Sequence, residues 1–145
     1  MDWRRESAEE LREYEAKKFA AQSIPQDLAR LRQEAKRIGG AGSSTGPVKG
    51  GGSAWEDKQI DLICKKEKLE TSLRQCREWV ANVERGLAGL SAEEKLILDR
   101  FFMHPTKGNV DRLCQELGLE KSAVYERRDR ALRHYTLRRY GVVEV

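Results

Sequence analysis

The chain has 145 residues, 28 Lys+Arg against 24 Asp+Glu, and a formal net charge of +4. Charged residues make up 36% and aromatics 7%, with only 3 prolines, a mix that favours helices with broad solvated faces and predicts an all-α fold. This length holds one small domain, or two modules neither of which has a large core.

The cysteines, Cys64, Cys76 and Cys114, are odd in number and form no CxxC pair. That argues against a disulfide framework or a zinc site and predicts a reducing cytosol. The opening MDWRRESAEELREYE lacks the apolar stretch of a signal peptide, and no run approaches membrane-spanning length. A soluble, cytoplasmic protein without membrane association is expected.

Residues 1–38 read as N-terminal helices. Ala8, Leu11, Tyr14 and Ala21 fall near one face of the first. Pro25 is expected to end or kink that helix and suits the first turn of a second. There Ile24, Leu28, Leu31, Ala35 and Ile38 recur at alternating spacings of four and three. Residues 39–53, GGAGSSTGPVKGGGS, are expected to abolish helix and act as a flexible Gly/Ser-rich linker.

Residues 54–89 form the longest expected helix, on the order of 45 Å from end to end. Leu62, Leu69, Leu73, Cys76, Val80, Val83 and Leu87 keep heptad spacing, broken once where Lys66 takes an apolar slot. Such a helix cannot bury its stripe alone. The matching stripe over 24–38 is the expected partner, folded back through the linker as a helical hairpin. Pairing between two chains in a homodimeric coiled coil is the alternative, and the interrupted heptads favour the hairpin.

Residues 90–141 carry the pattern with specific chemistry. Ser91 to Glu94 forms a capping box, followed by Ile97, Leu98, Phe101 and Phe102 facing inward. His104 to Gly108 reads as a turn, and Asn109 as the cap of a helix that buries Val110, Leu113 and Leu117. Gly118 supplies a positive φ, Leu119 plugs the angle between two helices, and a basic helix begins near Lys121. Its inward residues are Val124, Ala131, Leu132 and Tyr135. The whole is a three-helix, helix-turn-helix unit joined to the N-terminal hairpin.

Between Lys121 and Tyr140 there are seven Lys or Arg, against only Glu126 and Asp129. The basic charge is thus local, as a footprint for phosphate should be. With Val124 inward, Ser122, Tyr125, Glu126, Asp129 and Arg133 point outward. The recognition helix, about residues 121–135, is expected to enter the major groove of double-stranded DNA through its N-terminal part. Ser122, Tyr125 and Glu126 are the candidates for base edges: Glu accepts from cytosine N4, and Tyr packs on a thymine methyl. Lys121, Arg127, Arg128, Arg130 and Arg133 are the candidates for phosphate. Lys107 and Asn109, at a helix N-terminus, would add one more phosphate clamp.

The segments LSAEEKLILDRFF and VDRLCQELGLEKSAVYERRDRAL resemble region four of bacterial sigma factors, the part that reads a promoter element. SAVYERRDRAL, the closing TLRRYG and the long helix after a Gly/Ser-rich stretch are similar to a narrower group. These are the small phage and prophage transcriptional regulators of the ArpU and RinA type. The likeness covers Leu90–Gly141 well and Trp55–Gly89 more loosely. It implies a regulator in the bacterial host cytoplasm that uses a sigma-like DNA reader, with either a second copy or a partner such as RNA polymerase expected to complete specific binding. Two positions depart from the pattern. Glu120 stands where the family caps its recognition helix with Ser or Thr, leaving Ser122 as the alternative cap. Ala123 stands where a contacting Arg is common.

His104 and His134 have no Cys or acidic cluster at ligand spacing, so no metal is expected. The Gly-rich stretch lacks GxxxxGK[ST], and no nucleophile–base pair stands out. No catalytic residue, cofactor or enzyme activity is therefore expected. Two other functions fit the pattern: a helical adaptor that binds RNA polymerase or another protein, and a small-terminase-like initiator of DNA packaging.

Overall fold

A computed structural model of the chain describes residues 2–44 and 51–143, with side chains over 2–38 and 54–143. Among these residues the fold is all-α: α1 (Trp3–Ser44), α2 (Gly51–Ala88), α3 (Ala92–Leu98), α4 (Asn109–Leu117) and α5 (Lys121–Tyr140). A π-helical turn, Asp99–Met103, continues α3. Among the described residues no helix is long and apolar enough to cross a membrane.

Pro25 does not end the first helix, contrary to expectation; α1 runs through it. Proline removes one i→i−4 hydrogen bond and crowds the preceding turn. Ile24 and Leu28 are both buried with Leu73, flanked by Ala20 and Leu69. Apolar burial on both sides of the proline holds the helix across the weak point.

The linker is also shorter than its composition suggests. Residues 39–44 belong to α1 and 51–53 to α2, while 45–50 lie outside the described residues. Each glycine costs a helix about 1 kcal/mol relative to alanine. Extending a nucleated helix, however, fixes only one residue per new hydrogen bond.

The chain divides into two compact units, Lys18–Arg77 and the combination of Met1–Lys17 with Glu78–Val145. These boundaries differ from the expected 1–38, 54–89 and 90–141: α1 and α2 each contribute to both units. In the Lys18–Arg77 unit the two helices run antiparallel. Early α1 residues Ile24 and Leu28 meet the late α2 residue Leu73. At the other end Trp55 Nε1 donates to the Ile38 carbonyl at 3.3 Å.

The other unit has two apolar clusters. The larger joins Trp3, Ala8, Leu11 and Tyr14 of α1 to Val83, Leu90, Leu98, Phe102, Ala131, Leu132 and Tyr135. The N-terminal segment is thus part of the same core as α5, and not of a separate helical region. The smaller cluster joins Ile97, Leu113 and Val124, with Leu96, Phe101, Cys114, Leu117 and Leu119 around it. It fixes α3, α4 and α5 to one another.

Candidate nucleic-acid interface

The capping box at the start of α3 is fully formed. Glu94 N–H donates to Ser91 Oγ at 3.1 Å, and Ser91 N–H donates to Glu94 Oε1 at 3.1 Å. Glu94 also holds His134 of α5 at 2.5 Å. Partial burial opposes ionisation of Glu94, but the Ser91 N–H and then His134 outweigh it and hold its carboxyl below the usual value.

The π turn inserts one extra residue into the helical repeat. Phe102 is buried in the larger cluster, while Phe101 is half-buried and packs beside both clusters. After the turn Gly108, at φ +76°, occupies the N-cap of α4 with no side-chain cap. The expected capping role of Asn109 is therefore not seen. Asn109 is the first residue of α4, and its Nδ2 donates to the Arg100 carbonyl at 2.5 Å. That amide ties α4 back to the π turn, while Lys107, the other expected phosphate contact, is exposed.

Gly118 adopts φ +65°, a left-handed conformation that ends α4. The Gly118 and Leu119 N–H groups both donate to the Cys114 carbonyl. Leu119 packs beside the Ile97, Leu113 and Val124 cluster. α5 then starts at Lys121, with Glu120 at its N-cap and no side-chain capping bond. Ser122 therefore lies inside the first turn, exposed, and is not the cap.

The α5 candidates sort into three sets. Ser122, Glu126, Arg130 and Arg133 are exposed and spaced by four, four and three, so they share one outward strip; Lys121 lies at its edge, also exposed. Among the described residues Lys121, Arg130 and Arg133 form no salt bridge. On one flank Tyr125 is 38% exposed and packs its ring 5.9 Å from Phe101. The Arg128 guanidinium lies 5.0 Å from the Tyr125 ring and 5.2 Å from that of Phe101, and it pairs with Asp129 at 3.0 Å. On the other flank Arg127 pairs with Glu93 of α3.

The seven basic residues counted in sequence are therefore not equivalent. Asp129 and Glu93 partly neutralise Arg128 and Arg127, and Arg139 is bound by the buried Glu10 at 3.0 Å. The unit that contains α5 holds 16 Lys/Arg and 17 Asp/Glu, whereas Lys18–Arg77 holds 12 and 7. The basic surplus of α5 is local to its strip, and a second surplus sits on the helical hairpin.

Arg112, which is not among the sequence candidates, is an exposed basic residue on the solvent side of α4. The signal for it was present: Val110, Leu113 and Leu117 set the inward face of α4, and Arg112 lies off that face. The Arg127–Glu93 pair had no such signal, since its partners are 34 residues apart and on different helices.

Comparison with protein-family models, with curated proteins and with solved structures returns no match.

Proposed function

We propose that the chain is a non-enzymatic, sequence-specific double-stranded DNA-binding protein that acts as a transcriptional regulator of the phage or prophage type. The observation that carries this reading is the outward strip of α5. Ser122 and Glu126 are exposed near its N-terminus, with Lys121, Arg130 and Arg133 exposed around them and free of salt bridges among the described residues. A short turn with left-handed Gly118 precedes the strip. Polar groups at the leading end of such a helix meet base edges in the major groove, and the flanking cations meet phosphates.

Lys121, Arg130 and Arg133 supply the phosphate contacts in this reading, with Lys107 and Arg112 as additions from α4 and the turn before it. Arg127 joins them on exchanging Glu93 for phosphate; both partners of that pair are substantially exposed, and such a pair contributes little stability to be lost. Ser122, Tyr125 and Glu126 read bases. One module of this size buries only about 600–1,000 Å² of its surface on DNA, so tight specific binding draws on a second copy or on RNA polymerase.

The test is selection of bound sites from random duplex DNA, followed by titrations at several salt concentrations. Arg130→Ala and Arg133→Ala weaken binding to every sequence, and each flattens the salt slope by roughly 0.9. Tyr125→Ala and Glu126→Ala relax sequence preference at single positions. Unchanged DNA affinity and preference in all four variants would sink the assignment.

A further inference from the structure

We propose that the groove between α1 and α2 in the Lys18–Arg77 unit binds an acidic, amphipathic helical segment of a partner protein. The groove holds about 310 Å³ and is lined by Leu31, Arg32, Ala35 and Lys36 of α1 and by Gln59, Leu62, Ile63 and Lys66 of α2.

Its origin is readable in the heptad pattern. The helices seal where Ile24, Leu28, Leu69 and Leu73 face one another. One stage further along the seam, Lys66 takes an apolar slot of α2 and the small Ala35 takes one of α1. Neither fills the space between the helices, so the seam opens. A lysine in such a slot costs the pairing stability, and here it leaves an apolar floor with a charged rim.

The lining shows what fits. Leu31, Ala35, Leu62 and Ile63 form the floor, and Ile63 and Ile60, one turn apart on α2, are 53% and 57% exposed. From Gln59 to Lys66 the floor runs roughly 10 Å along α2, enough for two turns of a third helix laid in the seam. Arg32, Lys36 and Lys66 edge it. Among the described residues Lys66 pairs with Glu70, at 3.8 Å on the exposed surface, and Arg32 and Lys36 form no salt bridge. Gln59 Nε2 is buried and makes no hydrogen bond among them, so it is a donor that an incoming carboxylate or carbonyl would satisfy.

Charge selects among occupants. The unit carries 12 Lys/Arg against 7 Asp/Glu, so a second hairpin brought to the same face would meet a like-charged rim. A helix with Leu or Ile on one side and Asp or Glu on the other meets the floor and the rim together.

The test is selection of helical peptides from a random displayed library on the full chain. The enriched peptides are then titrated against the wild type, Ala35→Leu, Lys36→Glu and Arg32→Glu. Enriched sequences are expected to carry apolar residues at i, i+3, i+4 and i+7 with Asp or Glu beside them. Ala35→Leu fills the floor and the two reversals change the rim, so each weakens binding by about tenfold or more. The helical circular dichroism signal and melting temperature report that the variants fold. Lys36 and Arg32 are exposed, so their reversals remain informative if Ala35→Leu disturbs the hairpin. Enrichment of basic peptides, no enrichment, or equal affinity in all variants overturns the proposal. A dimer in solution that Ala35→Leu dissolves assigns the groove to a second copy and overturns it too. A fall in duplex-DNA affinity with Lys36→Glu to match that of Arg133→Ala assigns it to nucleic acid, with the same consequence. The DNA-reading strip of α5 is tested by different variants, so either reading can fail alone.

Discussion

The Tyr135 phenol donates to the Glu10 carboxylate in a buried contact that joins α5 to the first turns of α1, 125 residues away in sequence. Glu10 also accepts from Tyr140 Oη and from Arg139 Nε, the latter at 3.0 Å. Beside it Thr136 Oγ1 donates to the Leu132 carbonyl, so Ser7 Oγ must be the donor in the buried 2.7 Å contact between Ser7 and Thr136. The C-terminal part of α5 is thereby tied to the first turns of α1.

Glu10→Ala leaves the partly buried Arg139 and two phenols without their acceptor, and is expected to lower stability by about 3 kcal/mol. Tyr135→Phe leaves Glu10 its other two donors and should cost about 1 kcal/mol. Denaturant midpoints of the two variants check the order. Burial and then the Glu10 hydrogen bond push the Tyr135 and Tyr140 phenols up from 10.0, Tyr140 to about 12. The folded chain therefore holds these protons more tightly than the unfolded chain does. The linked stability is complete below pH 10.0 and declines as pH rises toward about 12. Tyr140→Phe should flatten that decline.

His104 gives a second pH dependence. Its Nδ1 lies 2.6 Å from Asp99 and its Nε2 3.1 Å from Glu15 of α1. The Asp99 hydrogen bond, then attraction from Asp99 and Glu15, raises its pKa above 6.5 despite some desolvation. Protonated His104 thus contributes stability that is full below pH 6.5 and is lost as pH rises through the raised value. His104→Gln should remove that part of a stability–pH curve. The effect is small, because the ring is 55% exposed.

Two glycine-to-alanine changes should destabilise for different reasons. At Gly118 nothing lies within 4 Å of an added Cβ, but φ is +65°, so the cost of about 1 kcal/mol is backbone strain. Gly118→Asn, which tolerates that conformation, should recover part of it. At Gly86 an added Cβ would lie 2.8 Å from Tyr135 Cε2, an overpacking expected to cost about 1–3 kcal/mol. A double variant with a smaller residue at 135 would not be additive with Gly86→Ala. Thermal melts of the single and double variants separate the two mechanisms.

Glu93→Gln is expected to release Arg127 without disturbing the capping box, which uses Ser91 and Glu94. Under the proposed DNA-binding function, Arg127 then reaches its phosphate without first giving up Glu93. DNA affinity rises modestly, while the salt slope stays that of the wild type because the number of phosphates contacted is the same. An unchanged affinity would show that Arg127 stays off the DNA.

Much of α3 to α5 was legible residue by residue. The capping box at Ser91, the left-handed Gly118 and the inward set of Val124, Ala131, Leu132 and Tyr135 all follow from rules that act within one helix or turn. The misread features involved competition between local preference and burial. Pro25 and the glycines after Ile38 disfavour helix locally, yet α1 continues through Pro25 to Ser44, because packed neighbours and an existing helix weigh more than one residue's preference.

The sequence by itself determined the all-α character, the position of each apolar stripe and the local surplus of cations on α5, since each depends on composition and on the 3.6-residue period. Only the tertiary structure decided the pairings. It joined the Ala8, Leu11 and Tyr14 stripe to α5, committed Arg127, Arg128 and Arg139 to carboxylates, and left Lys121, Arg130 and Arg133 without a salt bridge among the described residues. It also turned the misfit of Lys66 into an open groove. A helical period tells which way a side chain points. Which distant residue meets it depends on how whole helices pack, and that information is spread over the entire chain.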